Sequence, residues 1–120
     1  MTRKRYRAIA AYAGEWLVEP LPGSRPVDEA TGLAASTAVY VVCDALERIR
    51  YVGSVRRPRL VGGLAARLRE HLRDPVTRLT WHTVWVLPLR DETPVGVVRQ
   101  LEGAVGIDLQ PLGNQRLPKI

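Results

Sequence analysis

Two short runs of β-branched and aromatic residues, 38–43 and 48–53, limit the folds open to this chain more than any other feature of its sequence. Only four residues separate them, and this composition and spacing favour a β-hairpin. In the register that we predict, Tyr40 lies directly opposite Tyr51, and directly opposed side chains of an antiparallel pair share one face. A shift of one residue would send the tyrosines to opposite faces. The pattern therefore predicts two phenol groups side by side on one face of a sheet.

A helix is predicted over about residues 64–73, after a pair of glycines and before Asp74. Its buried stripe consists of leucines at every fourth position, Leu64, Leu68 and Leu72. Arg67 and His71 are also four residues apart, so they are neighbours on the helix surface, beside the leucines. We therefore expect both side chains to reach toward the sheet on which the leucines pack.

A strand and a second helix are predicted further along the chain, over residues 81–87 and 94–105. Thr93 is suited to cap the start of that helix, and Gly106 is suited to end it. Glu102 borders the apolar stripe of the helix, where a carboxylate is either a solvated edge charge or a ligand. Together with the hairpin, these elements predict an α/β fold of the α+β type, in which helices flank a small, mainly antiparallel three-stranded sheet.

The charge of the chain favours a polyanionic partner. Its 120 residues include 18 lysines and arginines against 12 acidic residues, which gives a net charge of +6. Nearly all of the positive charge is arginine, which suits bidentate contacts to phosphate, although a GC-rich genome would also enrich arginine. The length indicates a single domain.

The sequence also excludes several classes of protein. The single cysteine, Cys43, rules out an internal disulfide and a zinc site made of cysteines. No apolar run is long enough to span a membrane, and acidic residues interrupt the segment after the basic N-terminus, so that no secretory signal is expected. We therefore expect a cytoplasmic protein without a membrane partner.

In their order and spacing these motifs resemble the GIY-YIG nuclease family, from about Ala38 to Asn114. Residues 38–40 (Ala-Val-Tyr) stand where the family has Gly-Ile-Tyr, and residues 51–53 (Tyr-Val-Gly) stand where it has Tyr-Ile-Gly. The resemblance continues with an arginine and a histidine on one helix, a glutamate on the last helix and a Pro-x-x-Asn segment: Arg67, His71, Glu102, and Pro111 with Asn114. The motifs point to a small, stand-alone member of the family with one domain.

The resemblance implies a metal-dependent endonuclease that hydrolyses phosphodiester bonds of DNA, with RNA left open as a substrate. It implies that Tyr51 activates the attacking water, with Tyr40 beside it, and that Arg67 stabilises the phosphate. A tyrosine is a weak base at its ordinary pKa of about 10. We expect Arg67 and a divalent cation to lower that pKa, because both favour the phenolate.

The resemblance also assigns roles to three residues further along the chain. Glu102 would hold one Mg²⁺ or Mn²⁺ ion, with waters completing its coordination shell. His71 would be a proton shuttle or a phosphate contact, and Asn114 would form a hydrogen bond near the site. These roles make six candidate catalytic residues, of which Glu102 is the metal ligand.

Ordinary structural roles remain open for most of these residues. The two tyrosines could be a plain cross-strand aromatic pair, Arg67 and His71 could be solvated residues of a helix surface, and Asn114 could cap a turn. Trp81 and Trp85 are expected in the core.

One departure from the family pattern lies directly after the second motif. Ser54 stands where many members carry a lysine, so a lysine cannot help to activate water here. The segment 54–66 is longer than in compact members and is rich in arginine. Four arginines in this segment and on the helix are predicted to contact nucleic acid or, alternatively, to be solvated: Arg56, Arg57, Arg59 and Arg69.

Residues 1–36 are predicted to be an N-terminal extension, with a helix over about 4–17 and a proline-rich loop, and residues 37–120 to be the nuclease-like catalytic domain. The extension could cover one side of the sheet, follow a nucleic-acid backbone with its basic residues, or form a dimer contact. A homodimer or a partner protein could supply specificity. An alternative function is a non-cleaving nucleic-acid-binding or accessory module on a nuclease fold.

Overall fold

The computed structural model describes residues 1–112, apart from the side chains of residues 31 and 32, and it has an α+β fold. An antiparallel sheet contains four strands: β1 (Ser24–Pro26), β2 (Thr37–Cys43), β3 (Ile49–Arg56) and β4 (Thr83–Pro88). Four α-helices surround it: α1 (Arg3–Ala10), α2 (Gly63–His71), α3 (Pro75–Thr80) and α4 (Val95–Leu109). Two 3₁₀ helices, Ala11–Trp16 and Val27–Gly32, complete the described elements. The predicted class, an antiparallel sheet flanked by helices, is confirmed.

The predicted count of three strands was wrong, because the N-terminal extension adds a fourth. The spatial order of the strands is β1-β4-β2-β3, so β1 and β3 are the two edges. Arg25 in β1 lies opposite Val84 in β4. Three residues that end in a proline carry no strand pattern in the sequence, and proline in a sheet is confined to edges. The pairing of this strand with β4 therefore could not be predicted from the sequence.

Both faces of the sheet are covered, which explains why all seven residues of the central strand β2 are buried. Val39 and Val41 face a core that includes residues of α1 and α4. Ala38, Tyr40 and Val42 face a second core, which includes residues of α2. The alternation of side chains along a strand thus assigns Tyr40 to the α2 side.

The hairpin register differs from the predicted one by two residues. Tyr40 pairs with Gly53, and Val42 pairs with Tyr51. One residue of the shift arises in the loop, where the backbone N–H of Asp44 donates to the carbonyl of Arg48. The second arises at an irregularity next to Val42, since Cys43 pairs with Ile49. A shift of one residue would move a side chain to the other face of the sheet, and a second such shift moves it back. Both tyrosines therefore still lie on one face, but they are diagonal neighbours and not directly opposed.

Several helix ends also differ from their predicted positions. Helix α4 continues past Gly106 and ends at Leu109, and the residue that follows it, Gln110, has a left-handed backbone with a φ of 47°. The hydroxyl of Thr93 donates to the carbonyl of Arg90 at 2.6 Å instead of capping the helix. The predicted helix over 4–17 is α1 followed by the first 3₁₀ helix, and α3 was not predicted as a separate element. Within residues 1–112, no helix is both long and apolar enough to cross a membrane.

The extension is joined to the sheet by Tyr6 as well as by β1. The Tyr6 hydroxyl donates to the carbonyl of Val86 at 2.6 Å and accepts from the backbone N–H of Gly23 at 3.2 Å. Its ring centroid lies 4.9 Å from that of Trp85. A buried phenol with both partners satisfied holds α1 and the proline-rich loop against β4.

Candidate active site

The two tyrosines of the hairpin lie side by side on the α2 face of the sheet, with ring centroids 6.3 Å apart. Tyr40 is completely buried, because β2 is a central strand. Tyr51 is half-buried, because β3 is an edge strand. Of the two phenols, Tyr51 is therefore the one that solvent can reach.

His71, at the last position of α2, joins the tyrosines. Its Nε2 lies 3.0 Å from the hydroxyl oxygen of Tyr40, a hydrogen-bonding distance. Its ring centroid lies 5.2 Å from that of Tyr51. Burial, assisted by the positive charge of Arg67, lowers the pKa of His71 below its ordinary value of 6.5. The imidazole is therefore neutral at pH 7, so Nε2 can accept the Tyr40 proton when the ring hydrogen is on Nδ1.

Trp81 belongs to this cluster, which the sequence did not predict. Its ring centroid lies 5.2 Å from that of Tyr51 and 4.9 Å from that of His71. Residue 81 was predicted to begin a strand, in which it would share a face with Trp85. The strand instead begins at Thr83, and Trp81 is the residue that ends α3. Period-2 alternation thus does not apply to it, and only the unexpected helix α3 brings it to the tyrosines.

Arg67 is close enough to both tyrosines to affect them electrostatically, and it is also held by a carboxylate. Its Nη1 donates to Glu70 at 3.3 Å. Glu70 in turn accepts two bonds from Arg57, at 2.8 and 3.0 Å. The signal for Glu70 was its spacing of three residues from Arg67 on one helix, which places the two side chains together. Glu70 therefore fixes two of the predicted phosphate-binding arginines.

The expected lowering of the tyrosine pKa by Arg67 is smaller than the opposing effect of burial. Burial, together with the neighbouring Tyr51, raises the pKa of Tyr40 well above its ordinary value of 10.0, although Arg67 lowers it. Burial and the charge of Glu102 raise the pKa of Tyr51, and Arg67 again opposes them. Both phenols thus carry their protons at pH 7.

Glu102 approaches the site from the opposite helix layer. It lies on α4, and its Oε1 accepts a hydrogen bond from the hydroxyl of Ser54 at 2.6 Å. Ser54 is on β3, one residue after Gly53, so the alternation of the strand turns it to the α4 face. Since β3 is an edge strand, the carboxylate lies beside the edge of the sheet, and its charge acts on both tyrosines.

Glu102 would bind a metal ion with few other ligands from the protein. Among residues 1–112, no group of three or more histidine, cysteine or acidic side chains is arranged to hold a metal ion. One carboxylate suits Mg²⁺, because this ion retains several waters and is often bound by one or two carboxylates together with phosphates of the substrate. The donor set therefore fits a hydrated cation shared with a phosphate, and it does not fit a cage made of protein ligands alone.

The four arginines predicted to contact nucleic acid differ in how they are engaged. Arg56 Nε donates to the carbonyl of Thr93 at 2.8 Å, and Arg57 is paired with Glu70. Arg59 and Arg69 are exposed. The last predicted site residue, Asn114, lies outside the described residues.

Comparison of the chain with models of known protein families, with curated proteins and with solved structures found no match. The likeness to the GIY-YIG nucleases thus rests on the motif residues themselves. The geometry around Tyr40, Tyr51, Arg67, His71 and Glu102 supplies the physical argument for a function.

Proposed function

We propose that this protein is a divalent-metal-dependent endonuclease of the GIY-YIG type, which hydrolyses phosphodiester bonds of DNA. The observation that supports this proposal best is the contact of Tyr40, His71 and Tyr51 on the α2 face of the sheet. A positive charge from Arg67 and a negative charge from Glu102 both act on the tyrosines. A phosphodiester needs this combination of an anion-binding group, a carboxylate for a cation and groups that can handle a proton.

The chemistry assigns different tasks to the two tyrosines. In hydrolysis a water oxygen attacks phosphorus, the bond from phosphorus to the leaving oxygen breaks, the water loses a proton and the leaving oxygen gains one. Tyr51 is the more exposed phenol, so it is the one that contacts and orients the attacking water. Tyr40 is buried and bonded to His71, so it holds the imidazole in place and can exchange a proton with it.

Arg67 and Glu102 act on the charge of the phosphate. The guanidinium of Arg67 is half-exposed and can donate to non-bridging oxygens, which carry more charge as the water attacks. Glu102 would hold a Mg²⁺ or Mn²⁺ ion, which supplies stabilisation of that charge and of the leaving oxygen when it is bound. Ser54 keeps one oxygen of Glu102 in a fixed direction.

One observation favours the alternative function, a nucleic-acid-binding or accessory module that does not cleave. Burial raises the pKa of both Tyr40 and Tyr51, so neither phenol is a ready base in the protein by itself. A binding module would use the exposed arginines and would not need the phenols to exchange protons. The two functions differ in a single measurable property, the appearance of nicked strands.

The decisive experiment incubates supercoiled plasmid with the protein in Mg²⁺ or Mn²⁺ and compares wild type with Arg67→Ala and Glu102→Gln. Arg25→Ala and Glu15→Gln are matched controls, because both residues are exposed. Arg25 also lies on β1, which is at the other edge of the sheet from β3. We expect metal-dependent nicking by the wild type and both controls, and a loss of about 100-fold or more in the two site variants.

Parallel arms with duplex, single-stranded, flap and branched DNA and with RNA define the substrate. Metal-independent retention of DNA in a gel-shift assay, without cleavage of any of these substrates, would support the binding module and reject the nuclease.

A further inference from the structure

The hydrogen bond between Ser54 and Glu102 connects two residues that are 48 positions apart in the chain. At 2.6 Å it has the length expected for a hydroxyl that donates to an ionised carboxylate. It joins the edge strand β3 to α4, and both side chains are partly buried. The contact engages Oε1, so Oε2 is the oxygen of Glu102 that is left to bind a cation.

Glu102 differs from Asp44 and Glu70, the other carboxylates within residues 1–112 that are not exposed. Asp44 and Glu70 are each paired with two arginines. Among residues 1–112, Glu102 forms no ion pair, and its partner Ser54 is uncharged. A carboxylate that is oriented but not neutralised retains its attraction for a cation. A lysine at position 54 would have placed a competing positive charge beside it.

Orientation matters more for a single carboxylate than for a cluster of ligands. Because no group of three or more histidine, cysteine or acidic side chains within residues 1–112 could hold a metal ion, the direction of the Glu102 carboxylate has a large effect on where a cation can bind. Hydrogen bonds to a ligating group commonly contribute about 10–100-fold to metal affinity, because they remove alternative side-chain conformations.

We propose that Ser54 is a positioning residue that orients the Glu102 carboxylate toward a divalent cation. This inference rests on the proposed function for the identity of the ligand. It makes a separate claim, however, because cation binding can be measured without any cleavage.

Binding of Mn²⁺ alone to the full chain, followed by the electron paramagnetic resonance signal of free Mn²⁺, tests this role. We expect Ser54→Ala to weaken Mn²⁺ binding by about 10–100-fold and Glu102→Gln to abolish it. Ser54→Thr retains the hydroxyl and should restore binding, which a role in packing alone would not predict. Ser24→Ala, at an exposed position on β1, is the matched control and should bind as the wild type does. Urea unfolding of each variant shows whether it is folded.

The outcomes separate this inference from the proposed function. Equal Mn²⁺ affinity in wild type and Ser54→Ala overturns the role of Ser54, even if both proteins nick DNA. Weaker binding in folded Ser54→Ala, restored in Ser54→Thr, supports that role even if no DNA is cleaved, in which case only the nuclease is rejected. A wild-type protein that neither binds Mn²⁺ nor nicks DNA overturns both.

Discussion

The phenol ring of Tyr40 lies against Gly53, its direct partner on the neighbouring strand. A Cβ atom at Gly53 would lie 2.7 Å from both Cζ and the hydroxyl oxygen of Tyr40, and 2.6 Å from Cε2 of Tyr51. Atoms that are not bonded to each other do not approach so closely, so a Cβ atom at this position would force one or both rings to move. The absence of a side chain at this one position therefore allows both rings to occupy the same side of the sheet.

The variant Gly53→Ala should displace one or both tyrosine rings. We expect it to lower the free energy of unfolding by about 1–3 kcal/mol, as overpacked sites do, and to remove most nicking activity. Urea unfolding and the plasmid assay measure the two effects. Gly103→Ala is the control, because Gly103 lies within α4 and a Cβ atom there would have no heavy atom of the surrounding residues within 4 Å. It should be as stable as the wild type or about 0.5–1 kcal/mol more stable. If Gly53→Ala were as stable and as active as Gly103→Ala, the close packing of Tyr40 and Tyr51 against Gly53 would be contradicted.

His71 should make stability depend on pH between neutral and mildly acidic conditions. Its pKa is lowered from 6.5 in the folded protein, so the folded state binds the proton more weakly than the unfolded state does. The stabilisation is therefore complete above pH 6.5 and declines as the pH falls below it. Arg67, Glu70, Tyr40 and Tyr51 surround the ring and retain their charge states in this range.

Urea unfolding of the wild type at pH 7.5 and pH 5.5, compared with His71→Gln, measures that decline. The variant should lose less stability than the wild type between these two values, whereas His82→Gln, at an exposed position, should follow the wild type. We also expect His71→Gln to reduce nicking by about 100-fold or more, since Tyr40 loses its imidazole partner. If His71→Gln lost as much stability as the wild type between these pH values, His71 would not be the source of the pH dependence.

Asp44 should stabilise the hairpin loop down to strongly acidic pH. Burial opposes its ionisation, but hydrogen bonds from the backbone N–H groups of Arg48 and Leu46 and from the side chains of Arg48 and Arg50 lower its pKa to about 2. Its contribution is complete above 3.8, the ordinary value, and is lost as the pH falls from there toward 2.

Thermal unfolding of Asp44→Asn tests this role. The midpoint should fall by several degrees at pH 6, while the difference from wild type should shrink at pH 2. Glu47→Gln, an exposed acid in the same loop, is the control and should be close to wild type at both pH values. A difference that stayed constant with pH would mean that the charge of Asp44 is not what stabilises the loop.

Arg59 is the loop arginine best placed to contact a nucleic-acid backbone. Arg56 is exposed but bonded to the carbonyl of Thr93, and Arg57 is paired with Glu70. Arg59 is exposed, and its side chain forms no hydrogen bond or ion pair with another residue of 1–112. Arg59→Ala should weaken DNA binding to a similar extent for all sequences and reduce the slope of log affinity against log salt by about 1. Fluorescence anisotropy at several salt concentrations measures the slope. Arg25→Ala removes the same charge at the far edge of the sheet and should leave the slope unchanged. If the two variants had equal slopes, Arg59 would not be a specific contact of the DNA.

The sequence predicts local features of this fold better than it predicts contacts between distant segments. The shared face of Tyr40 and Tyr51 follows from strand alternation, and the closeness of Arg67 to His71 follows from helix periodicity. The hairpin register was wrong by two residues, because the loop is one residue longer than predicted and an irregularity follows Val42. The longer loop is held by hydrogen bonds from the backbone N–H groups of Leu46 and Arg48 to Asp44. No periodic signal exists for such bonds.

The unpredicted parts of the site depend on contacts made only in the folded chain. Trp81 reaches Tyr51 because α3 intervenes before β4. Ser54 meets Glu102 because α4 packs across β3, which brings together residues far apart in sequence. Such contacts require the arrangement of the layers to be known first.

The pairing of β1 with β4 limits how this protein can be divided. A chain that began at residue 37 would lack both the strand that covers the edge of β4 and Tyr6, which packs on Trp85. The bare edge of β4 would offer its backbone N–H and carbonyl groups to any neighbouring strand, which is the usual start of aggregation. We therefore expect the segment that resembles a nuclease and the extension before it to fold together, and a stable fragment to need both.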